Sequence, residues 1–129
     1  AEATWLGWYC AAQSYTGLLR WAFDSWTENP LQDTSHVMWT AGDCFLTYPG
    51  ARSSIRFERL REGIQDYEKL RLLREALAKR NDAAANEARR KLDAALKLFD
   101  FTKAQTEPAK TPVNAAKQAL DAAAAVAAQ

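Results

Sequence analysis

The sequence is poor in residues that break, bridge or coordinate. Its 129 residues hold five glycines, four prolines, two cysteines, one methionine and one histidine. Cys10 and Cys44 are too few for a disulfide framework and set no redox compartment. Both sit among apolar neighbours, which suits buried free thiols better than a bridge. His36 has no Cys, His or Glu at ligand spacing, so no metal site and no cofactor is expected. There is no Ser-His-Asp set, phosphate loop or zinc motif. No apolar run approaches the ~18 residues that would span a membrane. A basic n-region followed by an apolar h-region is also missing, so no signal peptide is visible. The chain opens on Ala1 rather than methionine, and its start reads as a chain entered part-way along. The net charge of +1 offers no electrostatic case for nucleic acid or an acidic membrane. Nothing here sets a compartment.

What is present is unevenly distributed. Residues 1–50 contain one basic side chain, Arg20, against Glu2, Asp24, Glu28, Asp33 and Asp43, a net −4; the remainder is therefore +5. All five tryptophans (Trp5, Trp8, Trp21, Trp26 and Trp39) also lie in the first 50 residues. An aromatic, slightly acidic front is followed by a helical, slightly basic back. With 48% hydrophobic and 26% charged residues, the composition suits one modest domain with one core.

Periodicity divides the chain further. Trp5, Trp8 and Ala12 share one face of a helix over residues 4–13. "GLLRWAF" (17–23) and "CFLTY" (44–48) are short apolar runs bounded by turn signals and read as strands. The polar stretch between them, broken by Pro30, reads as a loop that carries Trp26. At most a short helix lies within it, near residues 34–40. Ser53 or Ser54 can cap a long helix whose Phe57, Leu60, Ile64, Tyr67 and Leu70 form one apolar face, extended by Leu73 and Leu77. Gly63 sits inside that helix at a cost of ~1 kcal/mol relative to alanine. Close approach of a neighbouring backbone is the physical reason to accept it. A second helix runs from about Asp82 to Thr102 with Leu92, Ala95, Leu96 and Phe99 inward. Thr111-Pro112 reads as the cap and first position of a third, alanine-rich helix. Two short strands cannot make a stable sheet alone. They either pair within a mostly α domain as a two-stranded sheet or belong to a larger sheet, and their relative direction stays open.

Three motifs, LRW-x3-SW, GD-x3-TYPG and SIR-x3-LREG-x2-DYE, occur in that order between residues 19 and 68. Together they resemble the C-terminal part of glycoside hydrolase family 123 and its uncharacterised relatives. The resemblance is strongest over residues 17–73 and extends to the helix at 4–13. It implies an α/β, helix-rich fold: the last two strand-helix units of a (β/α)8 barrel plus a C-terminal helical hairpin. Residues 1–80 would be the barrel segment and 81–129 the hairpin. Residues 17–23 would be the seventh barrel strand, 44–48 the eighth, and Ser54–Lys79 the final barrel helix. It also implies retaining hydrolysis of N-acetylgalactosaminides, in which the substrate's acetamido group is the nucleophile, an Asp orients it and an adjacent Glu is the acid. The chain contains no Asp-Glu dipeptide, so neither role passes to any residue here.

Barrel active sites lie at the C-terminal ends of strands, which would place Trp26 and Tyr48 at the mouth. Indole faces stack on the C–H faces of sugars, so Trp26 and Trp21 are candidate sugar contacts, although core filling competes for Trp21. Trp5 and Trp8 read as core, and Trp39 stays undecided. Tyr48 is a candidate ligand contact or a buried phenol. Asp43 is a candidate sugar contact, with turn capping the commoner job of aspartate. Arg20 reads as half of a structural ion pair, and Arg61, Glu62, Asp66 and Glu68 as a structural set on the long helix. Two functions compete. One is a fragment of a carbohydrate-active hydrolase, inactive alone, whose partner is a carbohydrate bound with the missing barrel. The other is a non-enzymatic helical interaction or assembly module. Open strand edges would favour self-association of the isolated chain.

Overall fold

The computed structural model describes residues 1–36 and 38–129. Its elements are four helices, α1 (Glu2–Ala12), α2 (Ile55–Ala78), α3 (Ala83–Leu96) and α4 (Lys110–Ala127). A long irregular segment joins α1 to α2. Ser54 starts α2 by accepting the Phe57 N–H at 3.1 Å, and Asp82 starts α3 by accepting the Ala85 N–H at 2.9 Å. Each satisfies one of the first-turn donors that have no partner within the helix. The expected cap at Thr111 does not form. Helix α4 begins earlier, at Lys110, which leaves Pro112 in its first turn. The missing proline N–H costs nothing there, because first-turn N–H groups lack intrahelical partners anyway.

The barrel units are not there. Among the described residues no sheet forms, barrel or two-stranded, and the fold is a helical domain. Its extended pairing is limited to isolated antiparallel bridges, Asp24 with Phe45 and Tyr48 with Arg52. Barrel strands run parallel. Here Leu46 N–H donates to Phe23 O and Ser25 N–H to Cys44 O, at 2.7 and 3.1 Å, and the pairing stops. Two short runs without further neighbours do not sustain a ladder. They also have opposite fates. Cys44, Phe45 and Leu46 are buried, whereas Leu18, Trp21 and Phe23 are exposed and Leu19 is 94% exposed. The run 17–23 therefore never acquires the inward face that a buried strand needs. The short helix considered near 34–40 spans Val37, outside the described residues; its described neighbours are not helical.

One apolar core draws on all four helices: Trp5 and Trp8 from α1, Leu70 and Leu77 from α2, Leu92 and Leu96 from α3, Val113 and Leu120 from α4. Helix α3 stops at Leu96, short of the expected Thr102. The Leu98 and Phe99 N–H groups turn back to Ala95 O and Leu96 O, and Phe99 enters the core. Its ring lies 5.8 Å from both Trp5 and Trp8, nearly parallel to the latter. Such aromatic pairs contribute ~0.5–1.5 kcal/mol beyond area burial, more than a further turn of exposed helix would. The small side chains Ala85, Ala88, Ala116 and Ala123 are all buried and let α3 and α4 pack closely.

Helices α1 and α2 meet backbone to backbone. A Cβ built on Gly63 would lie 2.7 Å from Thr4 O, and one on Gly7 would lie 2.2 Å from Gly63 O. The close approach expected at Gly63 is present; its counterpart, Gly7, was not singled out by periodicity. The crossing also rotates α2. Gly63 and Asp66 are buried with Leu60 and Leu70, while Ile64, expected inward, is 53% exposed.

Gly63→Ala should destabilise the chain despite alanine's better helix propensity. Overpacking costs ~1–3 kcal/mol and propensity returns ~1 kcal/mol. A thermal melt followed by circular dichroism should show a midpoint lowered by roughly 5 °C. An unchanged or raised midpoint would contradict the backbone contact.

Candidate functional site

The aromatic and acidic side chains marked in the sequence lie on the irregular segment between α1 and α2. Its second half is fastened to the start of α2. Ser54 Oγ–H donates to Leu46 O, and the Arg56 guanidinium donates to Phe45 O at 3.2 and 3.3 Å. Arg56 also lies over the Phe45 ring, 5.3 Å from its centroid. Phe23 meets Phe57 edge to face at 5.8 Å, which ties the first half to the same helix.

Two groupings emerge. In the first, the Trp26 indole N–H donates to Thr47 O at 2.7 Å, one residue before Tyr48. Trp26 is exposed and Tyr48 half-buried. The Tyr48 ring meets Phe45 edge to face at 5.2 Å, and its backbone exchanges two hydrogen bonds with Arg52 across the Pro49-Gly50 turn. No barrel mouth exists to hold these two side chains; the Thr47 carbonyl is what links them.

In the second, Arg20 donates to Asp43 Oδ1 at 2.7 Å and also to the Asp43 carbonyl. The ion pair expected for Arg20 is thus present, with Asp43 as its partner. Trp21 follows in the chain and is not core: it is 66% exposed, and its ring lies 5.6 Å from that of Trp39, inclined by 47°. Arg20 and Asp43 border a depression of about 280 Å³ that also touches Arg56, Trp5 and Leu46. Small-molecule pockets usually occupy ~300–1,000 Å³, so this hollow is at the lower limit for one ring-sized ligand. Asp33, also on this segment, caps its own turn by accepting from Ser35 N–H at 2.8 Å. Hydrogen bonding from Ser35, its side chain first and its backbone N–H second, lowers the Asp33 carboxyl pKa.

A third polar cluster lies at the α1–α2 crossing. Asp66 is 2% exposed. Its Oδ2 accepts from the Trp8 indole N–H at 3.2 Å and from Lys117 Nζ at 2.6 Å. Lys117 also meets Glu62 at 3.0 Å, and Thr4 Oγ1 donates to Glu62 at 3.1 Å. Arg59 donates to Glu62 at 2.7 Å. The Glu62 carboxyl is pulled down to about 2, chiefly by Arg59, with burial opposing and Lys117 and Thr4 assisting. Burial works to lower the Lys117 pKa, but its bonds to Asp66 and Glu62 outweigh this and raise it. Paired carboxylates with a shifted pKa are catalytic candidates by default. Both carboxylates are instead committed to cross-helix bonds, Asp66 to Trp8 and Lys117 and Glu62 to Thr4, Arg59 and Lys117, which suits a structural role. The cation that pairs with Asp66 comes not from its own helix but from α4, 51 residues away. Among the described residues, no group of three or more His, Cys, Asp or Glu side chains could hold a metal ion. No helix there is long and apolar enough to cross a membrane.

The family model described as "Glycoside hydrolase 123, catalytic domain" matches residues 1–73, over half of the chain. No curated protein matches it. Both loop groupings fall inside the matched segment, as do Gly7 and Gly63; Lys117 falls outside it.

Lys117→Met should cost about 3 kcal/mol by leaving Asp66 buried and unpaired. Adding Asp66→Asn should recover part of the loss, since the amide oxygen still accepts from Trp8; full additivity in a denaturant cycle would argue against the pair. Glu62 gives a pH signature. Its pKa is depressed on folding, so its contribution is complete above the unfolded value near 4.5 and declines as pH falls through about 2. Glu62→Gln should flatten that part of the stability profile, and an unaltered acid slope would exclude Glu62 as its source.

Proposed function

This chain belongs to glycoside hydrolase family 123, and on that premise we propose that it is a part of a carbohydrate-active hydrolase that contacts sugar without performing the bond cleavage. Residues 1–80 are assigned to the catalytic-domain segment and 81–129 to a supporting helical hairpin. The proposed contacts are Trp26, Tyr48, Trp21 and Asp43. The observation that carries this reading is the exposure of Trp21 and Trp26 on a loop segment that lies within the family match and is tied to α2. The apolar face of an exposed indole suits a pyranose ring.

The substrate class that fits the family resemblance is an N-acetylgalactosaminide. Cleavage by substrate-assisted retention needs an acid to protonate the leaving oxygen and a carboxylate to orient the acetamido group. The chain has no Asp-Glu dipeptide, and Asp66, the one buried carboxylate among the described residues, is committed to Trp8 and Lys117. Asp43 is tied to Arg20, and its carboxylate oxygens can accept hydrogen bonds from sugar hydroxyls. Its proposed job is recognition.

A second reading, a non-enzymatic assembly module, draws on the apolar surface of the same loop, where Leu19 and Met38 are largely exposed. Self-association of the isolated chain would cover these side chains. Concentration-dependent sedimentation is expected on either reading, and a strict monomer would remove the assembly module.

The chain alone should release no aryl group from aryl N-acetylgalactosaminides; turnover would overturn the assignment of catalysis elsewhere. Binding of an N-acetylgalactosamine disaccharide, followed by calorimetry, should weaken about fivefold or more in Trp26→Ala. Equal affinity of variant and parent would remove Trp26 from the sugar contacts.

A further inference from the structure

Ile64 belongs to the apolar stripe of α2, yet it is 53% exposed. It borders a hollow of about 280 Å³ between α1, α2 and the loop, lined also by Gly7, Cys10, Leu18 and Tyr67. This hollow and the one at Asp43 and Arg56 both touch Arg20 and Leu60, so the two meet there. Their lining residues on α2, Arg56, Leu60, Ile64 and Glu68, recur every four positions and form one stripe along the helix. Twelve residues of helix make this a trough about 18 Å long. Most of its charges are already balanced. Arg20 is paired with Asp43, and Glu68 with Arg71 at 2.9 Å. Glu2 lies in the first turn of α1, where the helix dipole favours an acid. Arg56 has no carboxylate. It is pinned by the Phe45 carbonyl and ring, and its Nη1 has no hydrogen-bond partner among the described residues. Gly42 leaves room for this nitrogen, since a Cβ there would lie 2.8 Å from it.

We propose that this trough binds a medium-chain alkyl carboxylate, with the carboxylate on Arg56 and the chain running over Leu60 and along Leu18 and Ile64. Sugar binding is a separate matter, since Trp21, Trp26 and Tyr48 border neither hollow. Shape and charge select this occupant. A partner helix, about 10 Å across with its side chains, is too wide for a cleft whose walls touch backbone to backbone at Gly7 and Gly63. An extended peptide would carry its N–H and C=O groups into an aliphatic trough, where they are costly without partners. A methylene chain brings no such groups, and each methylene that covers Leu18, Leu60 or Ile64 adds favourable burial. One carboxylate oxygen can accept from Arg56 Nη1 in a charge-assisted bond. Asp43 and Glu2 border the same hollow and would repel a dianion such as a phosphate monoester.

The test uses the full chain and decanoate, with affinity measured by calorimetry and contacts by intermolecular NOEs. Decanoate should saturate a single site and show NOEs from its methylenes to the methyl groups of Leu18 and Ile64. Octanoate should bind about fivefold more weakly, for two fewer buried methylenes. Decanol, with the same chain and no charge, should bind about tenfold more weakly. Ile64→Asp and, on the loop wall, Leu18→Asp should each weaken decanoate about tenfold by placing a charge against its chain. Both positions are exposed, so at least the loop variant should keep the melting midpoint of the parent. Failure of decanoate to saturate a site, or equal affinity of both variants and the parent, would remove the trough as a ligand site. Equal affinity for decanol would overturn the pairing of a carboxylate with Arg56. A dimer in sedimentation that Ile64→Asp abolishes and decanoate leaves intact would give the trough to a second copy and overturn the inference.

Discussion

The backbone contact between α1 and α2 at Gly7 and Gly63 sets the arrangement of the rest. Two helices that touch at their backbones must present hydrogen at both positions, since either Cβ would fall well inside van der Waals distance of the opposing chain. The approach brings Thr4 next to Glu62 and Trp8 next to Asp66. Both bonds cross the α1–α2 interface and exist only while the two helices are packed together. Lys117 then closes the cluster from α4. A buried carboxylate needs a cation and further donors to be tolerated, and Asp66 obtains both only when α1, α2 and α4 are all in place.

The same crossing governs where the loop can go. With α1 lying across the middle of α2, the segment from Gln13 to Ser54 must travel to the start of α2, where Ser54 and Arg56 hold Leu46 and Phe45. Burial of Cys44, Phe45 and Leu46 anchors one half of this segment. The other half, Leu18 to Phe23, is left on the surface with its aromatic side chains outward. A packed helical base with an anchored, aromatic-bearing loop is a common division of labour, since loops carry recognition while the scaffold supplies rigidity.

Legibility differed by element. The caps at Ser54 and Asp82 follow from local chemistry, and the long helix between Ile55 and Ala78 follows from sustained periodicity. Trp5 and Trp8 read correctly as core because their spacing matches a helical turn. The strands at 17–23 and 44–48 did not form, because a short apolar run has the same pattern whether it becomes a strand, a buried coil or an exposed loop. Ile64 and Asp66 exchanged their expected environments for a related reason: periodicity identifies a stripe, and the glycine contact rotates it. Family resemblance was visible from the motif order alone, and the family match agrees with it. The barrel that the resemblance implied is not the architecture of this chain. Of the candidate contacts, Asp43 with Arg20 was half legible, through the expected ion pair. The Trp21–Trp39 pairing was invisible, since the two residues lie eighteen positions apart in the sequence.

By itself the sequence determined the local and the compositional: which segments are helical, where two of them begin, which family the chain resembles, and that no Asp-Glu pair is present. These depend on neighbours within a few residues or on residue identity, and a linear pattern contains both. Tertiary structure decided the partners. Lys117 for Asp66, Gly7 for Gly63, Phe99 for Trp8 and Trp39 for Trp21 are meetings between residues far apart in the chain. They are set by the helix crossing and by the space left over after the core closes, which no local pattern encodes.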